Sequence, residues 1–164
     1  MDHLLIAIVG NRNSGKSYTW NCLFGREVRT GQDERELPLG NGESVSVFLV
    51  SGSPQERKKY VEEIVQGDPQ IVLCSLQYKD EAFESFRFFF EKGYSALVHW
   101  LNPGRNDGDG SSDELGLIPY LLEHHSLVGI RNGKAAATSR VEELRDFIRG
   151  WASSRNLITA ATSE

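Results

Sequence analysis

The segment from Gly10 to Ser17 restricts the fold of this chain more than any other. It reads Gly-Asn-Arg-Asn-Ser-Gly-Lys-Ser, a complete G-x-x-x-x-G-K-S match, with an apolar run before it and a helix-like pattern after it. In this context the glycines let successive backbone N–H groups turn inward around a phosphate, and the helix N-terminus adds partial positive charge. The pattern predicts a strand, a phosphate loop and a helix; a chance glycine-rich turn is the alternative.

The loop and the residue after it are predicted to contact the phosphate groups of a nucleotide. The predicted contacts are Gly10, Asn11, Arg12, Asn13, Ser14, Gly15, Lys16, Ser17 and Tyr18. We expect Lys16 to reach the β- and γ-phosphates and the Ser17 hydroxyl to ligate Mg²⁺. The predicted ligands are therefore Mg²⁺ and a nucleoside di- or triphosphate.

Short apolar runs alternate with helix-like segments along the whole chain. The runs are Leu4–Val9, Ser44–Val50, Gln70–Leu76, Ser95–Leu101 and Ser126–Ile130. The helix-like segments are Lys16–Phe24, Gln55–Gln66, Glu81–Lys92, Asp113–His125 and Arg140–Ser154. Runs this apolar suit strands buried on both faces of a parallel sheet, and the alternation predicts a three-layer α/β fold.

One connection departs from this alternation. The extended run Glu34–Leu39 is joined to Val45–Val50 through Gly40-Asn41-Gly42, and Asn-Gly between two such runs predicts a hairpin. The expected sheet has five parallel strands and one antiparallel edge strand. The polar segments Phe24–Arg35 and Pro103–Ser112 are expected to be loops.

Length and charge limit the classes of function. A chain of 164 residues fits one domain, residues 1–164, on the prior of roughly 100–200 residues per domain. Its net charge of −5 argues against nucleic acid as a partner. No apolar run approaches the ~18 residues of a membrane span, so we expect no membrane insertion. Cys22 and Cys74 lie in apolar segments, which indicates buried thiols and a reduced, cytoplasmic location.

The pattern continues beyond the loop as Gly-x-x-Asn-x-Gly-Lys-Ser-x-x-x-Asn-x-Leu-x-Gly over residues 10–25. It resembles the opening of the bacterial Era-like and related translation-factor-class GTPases. The layout, a hairpin after the first helix and then three α/β units, is similar to a small Ras-like GTPase domain. This resemblance implies a P-loop fold, binding of GTP or GDP, a protein partner, and Asn13 as a ligand for K⁺ in some members of the class.

Two family motifs are altered at the matching positions. Ser51 stands where the family has a magnesium-orienting Asp, and Pro54 stands where a Gly donates its N–H to the γ-phosphate. Proline has no N–H, so that contact cannot form. Asn102-Pro103-Gly104-Arg105 replaces the guanine-reading Asn-Lys-x-Asp. We therefore expect weak or absent hydrolysis and reduced guanine specificity.

The resemblance also suggests roles for single residues. Gln55 either orients the attacking water or is an exposed residue of a first helical turn. Arg12 either approaches the γ-phosphate or points to solvent. Thr30 either binds Mg²⁺ or is a solvated loop residue. The candidate base contacts are Asn102, Asn132, Gly133 and Lys134. The alternative for the last three is an ordinary turn after a strand that contacts no base.

Three functions stay open at this level. The leading hypothesis is a degenerate GTPase that acts as a switch or scaffold with slow hydrolysis. An ATP-dependent small-molecule kinase binding ATP and ADP is the alternative, although only Arg105 and Arg131 lie at strand ends to clamp a transferred phosphate. A structural interaction module that has lost its ligand is the third, and the intact Lys16 and Ser17 argue against it.

Overall fold

A seven-stranded mixed sheet is the centre of the computed structural model, which describes residues 1–160; the last four residues of the predicted domain lie outside the described residues. The strands are His3–Gly10 (β1), Arg35–Gly40 (β2), Glu43–Val50 (β3), Ile71–Gln77 (β4), Tyr94–Leu101 (β5), Leu127–Arg131 (β6) and Thr159–Ala160 (β7). The helices are Lys16–Phe24 (α1), Pro54–Arg57 (α2), Val61–Ile64 (α3), Ala82–Glu91 (α4), Leu117–Glu123 (α5) and Thr138–Ser153 (α6).

The sheet has the strand order β2-β3-β4-β1-β5-β6, with the short β7 paired to β3. Strands β1, β3, β4, β5 and β6 run parallel, and β2 pairs antiparallel with β3 at one edge. This confirms the expected α/β class with a mostly parallel sheet and an antiparallel edge strand. The two-residue strand β7 was not predicted.

Helices cover both faces of the sheet because β1 is apolar on both. Leu4, Ile6 and Ile8 pack into a cluster with residues of α1 and α6. Leu5 and Val9 point the other way, into a cluster with residues of α3, α4 and α5. Side chains alternate across a strand, so a continuous apolar run buries both faces.

The position of β4 determines what lies beside the loop between β1 and α1. Strand β4 lies between β1 and β3, and its last residue, Gln77, is in register with Gly10 at the end of β1. Strand β3, which leads to Ser51, pairs with β4 and is therefore one strand removed from β1. The carboxyl ends of parallel strands share one edge of the sheet, so the ends of β1, β3 and β4 lie on the same side.

Two predicted helices have wrong boundaries. The segment Gln55–Gln66 is divided into α2 and α3 by Lys58, which has a left-handed φ of 55°. Its first half is the charged run Glu56–Lys59, which offers no apolar stripe to hold a continuous helix on the sheet. The predicted helix Asp113–His125 begins only at Leu117, because the Asp113 carboxylate accepts the N–H groups of Leu117 and Ile118 at 3.0 and 2.7 Å.

Within residues 1–160, no helix is both long enough and apolar enough to span a bilayer.

Candidate functional site: the cavity at the phosphate loop

The loop between β1 and α1 turns sharply at two residues with left-handed backbone. Asn13 has φ 60° and Gly15 has φ 107°, and the N–H of Ser14 donates to the carbonyl of Asn11 at 3.1 Å. Gly10 is required by space, since a Cβ there would lie 2.3 Å from the Ser14 Oγ. The structure thus has the strand, loop and helix that the motif predicts, with α1 beginning at Lys16.

Lys16 folds back over the loop and is almost fully buried, with 5% of its surface exposed. Its Nζ donates to the carbonyl oxygens of Gly10 and Asn11 at 3.2 and 2.8 Å, and it lies 3.4 Å from Oε1 of Glu56. Burial lowers the pKa of Lys16, and the nearby Glu56 carboxylate partly opposes that shift. The carbonyl groups of Gly10 and Asn11 therefore hold the Lys16 ammonium against the loop.

The two candidate metal ligands, Ser17 and Thr30, each contact the backbone of Ser51 just after β3. The Ser17 hydroxyl donates to the carbonyl of Ser51 at 3.2 Å, while the Thr30 hydroxyl accepts from the N–H of Ser51 and of Gly52 at 2.9 and 3.3 Å. Hydroxyl oxygens suit a hard cation such as Mg²⁺. Among the described residues there is no group of three or more His, Cys, Asp or Glu side chains placed to hold a metal.

A cavity of about 660 Å³ opens over the loop, a size within the range of small-molecule sites. It is lined by Arg12, Asn13, Ser14, Gly15, Lys16, Ser17, Tyr18, Gln55, Glu56, Lys58, Gln77, Lys79, Arg105 and Asn106. Five of these side chains are cationic, and one, Glu56, is a carboxylate. In a chain of net charge −5, this local excess of positive charge favours an anionic ligand.

The structure brings both candidate catalytic residues to this cavity. Arg12 is exposed at its rim, and Gln55 lies at the start of α2. The side-chain oxygen of Gln55 accepts the N–H of Gln77 at 3.2 Å, which ties the first turn of α2 to the end of β4. Arg105 lies over the Tyr18 ring, with its Cζ 5.8 Å from the ring centroid.

The four candidate base contacts lie in two loops that pack against each other. The Asn102 side chain exchanges hydrogen bonds with the backbone of Ser111, and the Gly133 N–H donates to the carbonyl of Pro103 at 2.8 Å. The Asn132 side-chain oxygen accepts from the N–H of Lys134 at 2.8 Å, and Lys134 Nζ donates to the carbonyl of Gly108 at 2.6 Å. None of the four lines the cavity, and the Gly133 N–H has an acceptor within the protein.

Sequence reasoning missed several residues at or behind the loop. The cavity is also lined by Glu56, Lys58, Gln77, Lys79 and Asn106. Gln77 is the last residue of β4 and Lys79 follows it closely, and a position at the carboxyl end of a parallel strand is a signal that could have found both. Arg140 is buried behind the loop, where it donates to the Thr19 hydroxyl and to the carbonyl of Ala135 at 3.3 and 3.2 Å. Burial lowers the pKa of Arg140. An Arg in an amphipathic helix gives no sequence signal of burial.

No protein-family model matches this chain, and a search of curated proteins finds no significant match.

Proposed function

We propose that this protein is a P-loop domain that binds a nucleoside di- or triphosphate with Mg²⁺ and acts as a switch or scaffold with slow or absent hydrolysis. The observation that carries the proposal is Lys16, buried over the loop at the base of a cavity with excess positive charge. A lysine in that place supplies a cation to the β- and γ-phosphates, and the N-terminus of α1 adds its dipole.

The Mg²⁺ part of the proposal rests on the oxygen donors beside Lys16. Ser17 and Thr30 lie within one hydrogen bond of Ser51, and Glu56 lines the same cavity. Mg²⁺ in nucleotide sites is bound by few protein oxygens, by substrate phosphates and by water. These side chains fit that requirement, and the bound ion would neutralise charge on the phosphates.

The slow hydrolysis follows from what surrounds the γ-phosphate position. Ser51 brings no carboxylate, and Pro54 brings no N–H. The Gln55 side-chain oxygen is already bonded to the backbone of β4. Phosphoryl transfer depends on positioned groups and on electrostatic stabilisation, and both are reduced here.

We propose a modest preference for GTP and GDP over ATP and ADP. The preference, like membership of the Ras-like and translation-factor GTPase class, rests on the resemblance over residues 10–25 and on the hairpin that follows α1. The candidate base contacts support it weakly, since the amide of Asn102 and the N–H of Gly133 are engaged within the protein. An unknown protein partner would bind one nucleotide state of this protein in preference to the other.

The test is thermal unfolding of the full chain with GTP, GDP, ATP or ADP, each with MgCl₂. A ligand at about 100 times its dissociation constant stabilises the folded state by ~2.7 kcal/mol, which gives a clear rise in the midpoint temperature. We expect such a rise, with guanine and adenine nucleotides differing little. A midpoint that no nucleotide moves would contradict the proposal and favour the interaction module.

A second cavity favours one other candidate, the ATP-dependent small-molecule kinase. A groove of about 560 Å³ between the α2–α3 segment and α4 shares Gln55, Lys58 and Lys79 with the phosphate cavity. A phosphate acceptor in that groove would lie next to the γ-phosphate. Arg131 does not take part, because its guanidinium is bonded to Glu143. A strong preference for ATP in competition calorimetry would favour the kinase.

A further inference from the structure

We infer that Glu56 supplies the acidic group on the Mg²⁺ side of the nucleotide that Ser51 does not provide, so that nucleotide binding depends on the divalent cation through Glu56. This inference rests on the proposed function and assigns a residue to it that lies outside the altered motif, five positions after Ser51.

The contact between Glu56 and Lys16 places the carboxylate where phosphate oxygens would bind. Two hydrogen bonds of the Lys16 ammonium go to the carbonyls of Gly10 and Asn11, on the loop itself. The carboxylate in contact with that ammonium is Glu56, whose Oε1 lies 3.4 Å from Nζ. Glu56 thus occupies the side of Lys16 that faces the cavity, and its side chain is 31% exposed there.

The backbone that carries Glu56 is fixed to the candidate metal ligands. Helix α2 begins three residues after Ser51, whose carbonyl accepts from the Ser17 hydroxyl. The buried Ser53 hydroxyl caps α2 by accepting the N–H of Glu56 at 3.2 Å. The carboxylate therefore projects from the same short connection that Ser17 contacts.

Because the Glu56 carboxylate is negatively charged, a polyphosphate can bind beside it in only two ways. A carboxylate and a phosphate in contact with the same ammonium repel each other, so the carboxylate either moves away or shares a divalent cation with the phosphate. Mg²⁺ in nucleotide sites is held by one or two carboxylates together with substrate phosphates. Glu56 is the one carboxylate among the cavity-lining residues.

The carboxylate of the other nearby acid, Asp107, already accepts hydrogen bonds from two other residues. Its Oδ2 accepts the N–H of Gly104 at 2.8 Å and the side-chain amide of Asn11 at 3.2 Å. These bonds hold the loop after β5 against the phosphate loop. The geometry therefore favours Glu56 as the carboxylate for Mg²⁺.

The experiment is calorimetric titration of the full chain with GTP and with ATP, each in excess MgCl₂ or in excess EDTA. The proteins are the wild type, Glu56→Gln, and Glu63→Gln as a matched control, since Glu63 is an exposed acid of α3 outside both cavities. Thermal unfolding without nucleotide verifies that each variant is folded. Binding, and not turnover, is the quantity measured.

We expect the wild type and Glu63→Gln to lose affinity when Mg²⁺ is removed. In Glu56→Gln the ratio of the dissociation constants without and with Mg²⁺ should fall by about 10-fold or more, because even outer-sphere partners of metal ligands are worth about 10–100-fold in metal affinity. The variant should also bind the Mg²⁺-free nucleotide more tightly than the wild type does.

Two results would overturn the inference and leave the proposed function standing. If Glu56→Gln tightens binding equally with and without Mg²⁺, the carboxylate only blocks the phosphate position. If it changes neither value, Glu56 has no role toward the nucleotide. Failure of the wild type to bind either nucleotide under any condition would overturn the proposed function together with this inference.

Discussion

The hydroxyl of Ser17, in the first turn of α1, donates a hydrogen bond of 3.2 Å to the carbonyl of Ser51 at the end of β3. The N–H of Ser51 in turn donates to the Thr30 hydroxyl at 2.9 Å. One residue therefore links the phosphate-loop helix to β3 and to the loop before β2. A ligand that binds the Ser17 hydroxyl would break its hydrogen bond to Ser51. Because Ser51 is also bonded to Thr30, ligand binding at Ser17 would then change the surroundings of the Thr30 hydroxyl.

Thr30→Val should destabilise the protein. The substitution preserves shape but removes the acceptor of the N–H groups of Ser51 and Gly52. An unsatisfied buried donor costs about 1–3 kcal/mol, and the half-buried position of Thr30 places the expected loss of unfolding free energy near the lower end. Urea denaturation measures it, with Thr30→Ser as the control that retains the hydroxyl. Equal stability of the wild type and Thr30→Val would show that these bonds do not matter.

Gly133→Ala should destabilise the contact between the base-side loop and the phosphate loop. A Cβ at Gly133 would lie 2.7 Å from the carbonyl oxygen of Ser14 and 3.1 Å from the Cα of Gly104, both of them backbone atoms. Overpacking of this kind costs about 1–3 kcal/mol. Gly108→Ala is the control, since a Cβ there has no neighbour within 4 Å. Equal unfolding free energies for the two variants would contradict the close packing.

Turnover by the isolated protein should be slow. Intrinsic hydrolysis in an intact small GTPase is ~10⁻⁴–10⁻³ s⁻¹ without an activator, and the altered Ser51 and Pro54 should make this chain no faster. Single-turnover assays with GTP and with ATP measure the rate for the wild type, Gln55→Ala and Arg12→Ala. A rate near 1 s⁻¹ that either substitution abolishes would reveal a competent active site and contradict the slow-switch proposal.

Acid should destabilise the protein through His99. This side chain is 2% exposed on β5, and burial, with the nearby Arg131 charge, lowers its pKa to about 4. The unfolded chain binds a proton at His99 near its ordinary pKa of 6.5, while the folded protein does not until about pH 4. Unfolding free energy should therefore fall as the pH drops from 6.5 to 4, by on the order of 3 kcal/mol from this group.

His99→Gln separates this contribution from that of the carboxylates. Urea denaturation at several pH values between 4 and 7 should show a smaller pH dependence for the variant, whatever its absolute stability. Parallel curves for the wild type and His99→Gln would mean that His99 titrates alike in the folded and unfolded states.

The sequence predicted the parts of the fold that local chemistry determines. The apolar run before Gly10 suits a buried strand and is one, and Asn41-Gly42 forms the expected turn between β2 and β3. The order of the strands could not be predicted, because a crossover can place β4 on either side of β1 and no local pattern decides which. That order brings Gln77 beside the loop.

The candidate site was predictable where one motif contains all of its residues. The strand, the loop and the helix that begins at Lys16 follow from the motif, but the approach of Glu56 depends on how the chain turns after Ser51. Helix α2 also ends at the left-handed Lys58, a conformation that the sequence gives no reason to expect in a charged run. The bond from the Gly133 N–H to Pro103 likewise depends on two distant loops meeting.

The most direct test of nucleotide binding at the phosphate loop is calorimetric titration of wild type and Lys16→Ala with Mg²⁺ and GTP. Lys92→Ala is the matched control, since Lys92 is an exposed lysine outside both cavities. We predict that the wild type and Lys92→Ala bind alike and that Lys16→Ala, still folded by circular dichroism, shows no detectable binding. Binding by Lys16→Ala with wild-type affinity would contradict nucleotide binding through Lys16.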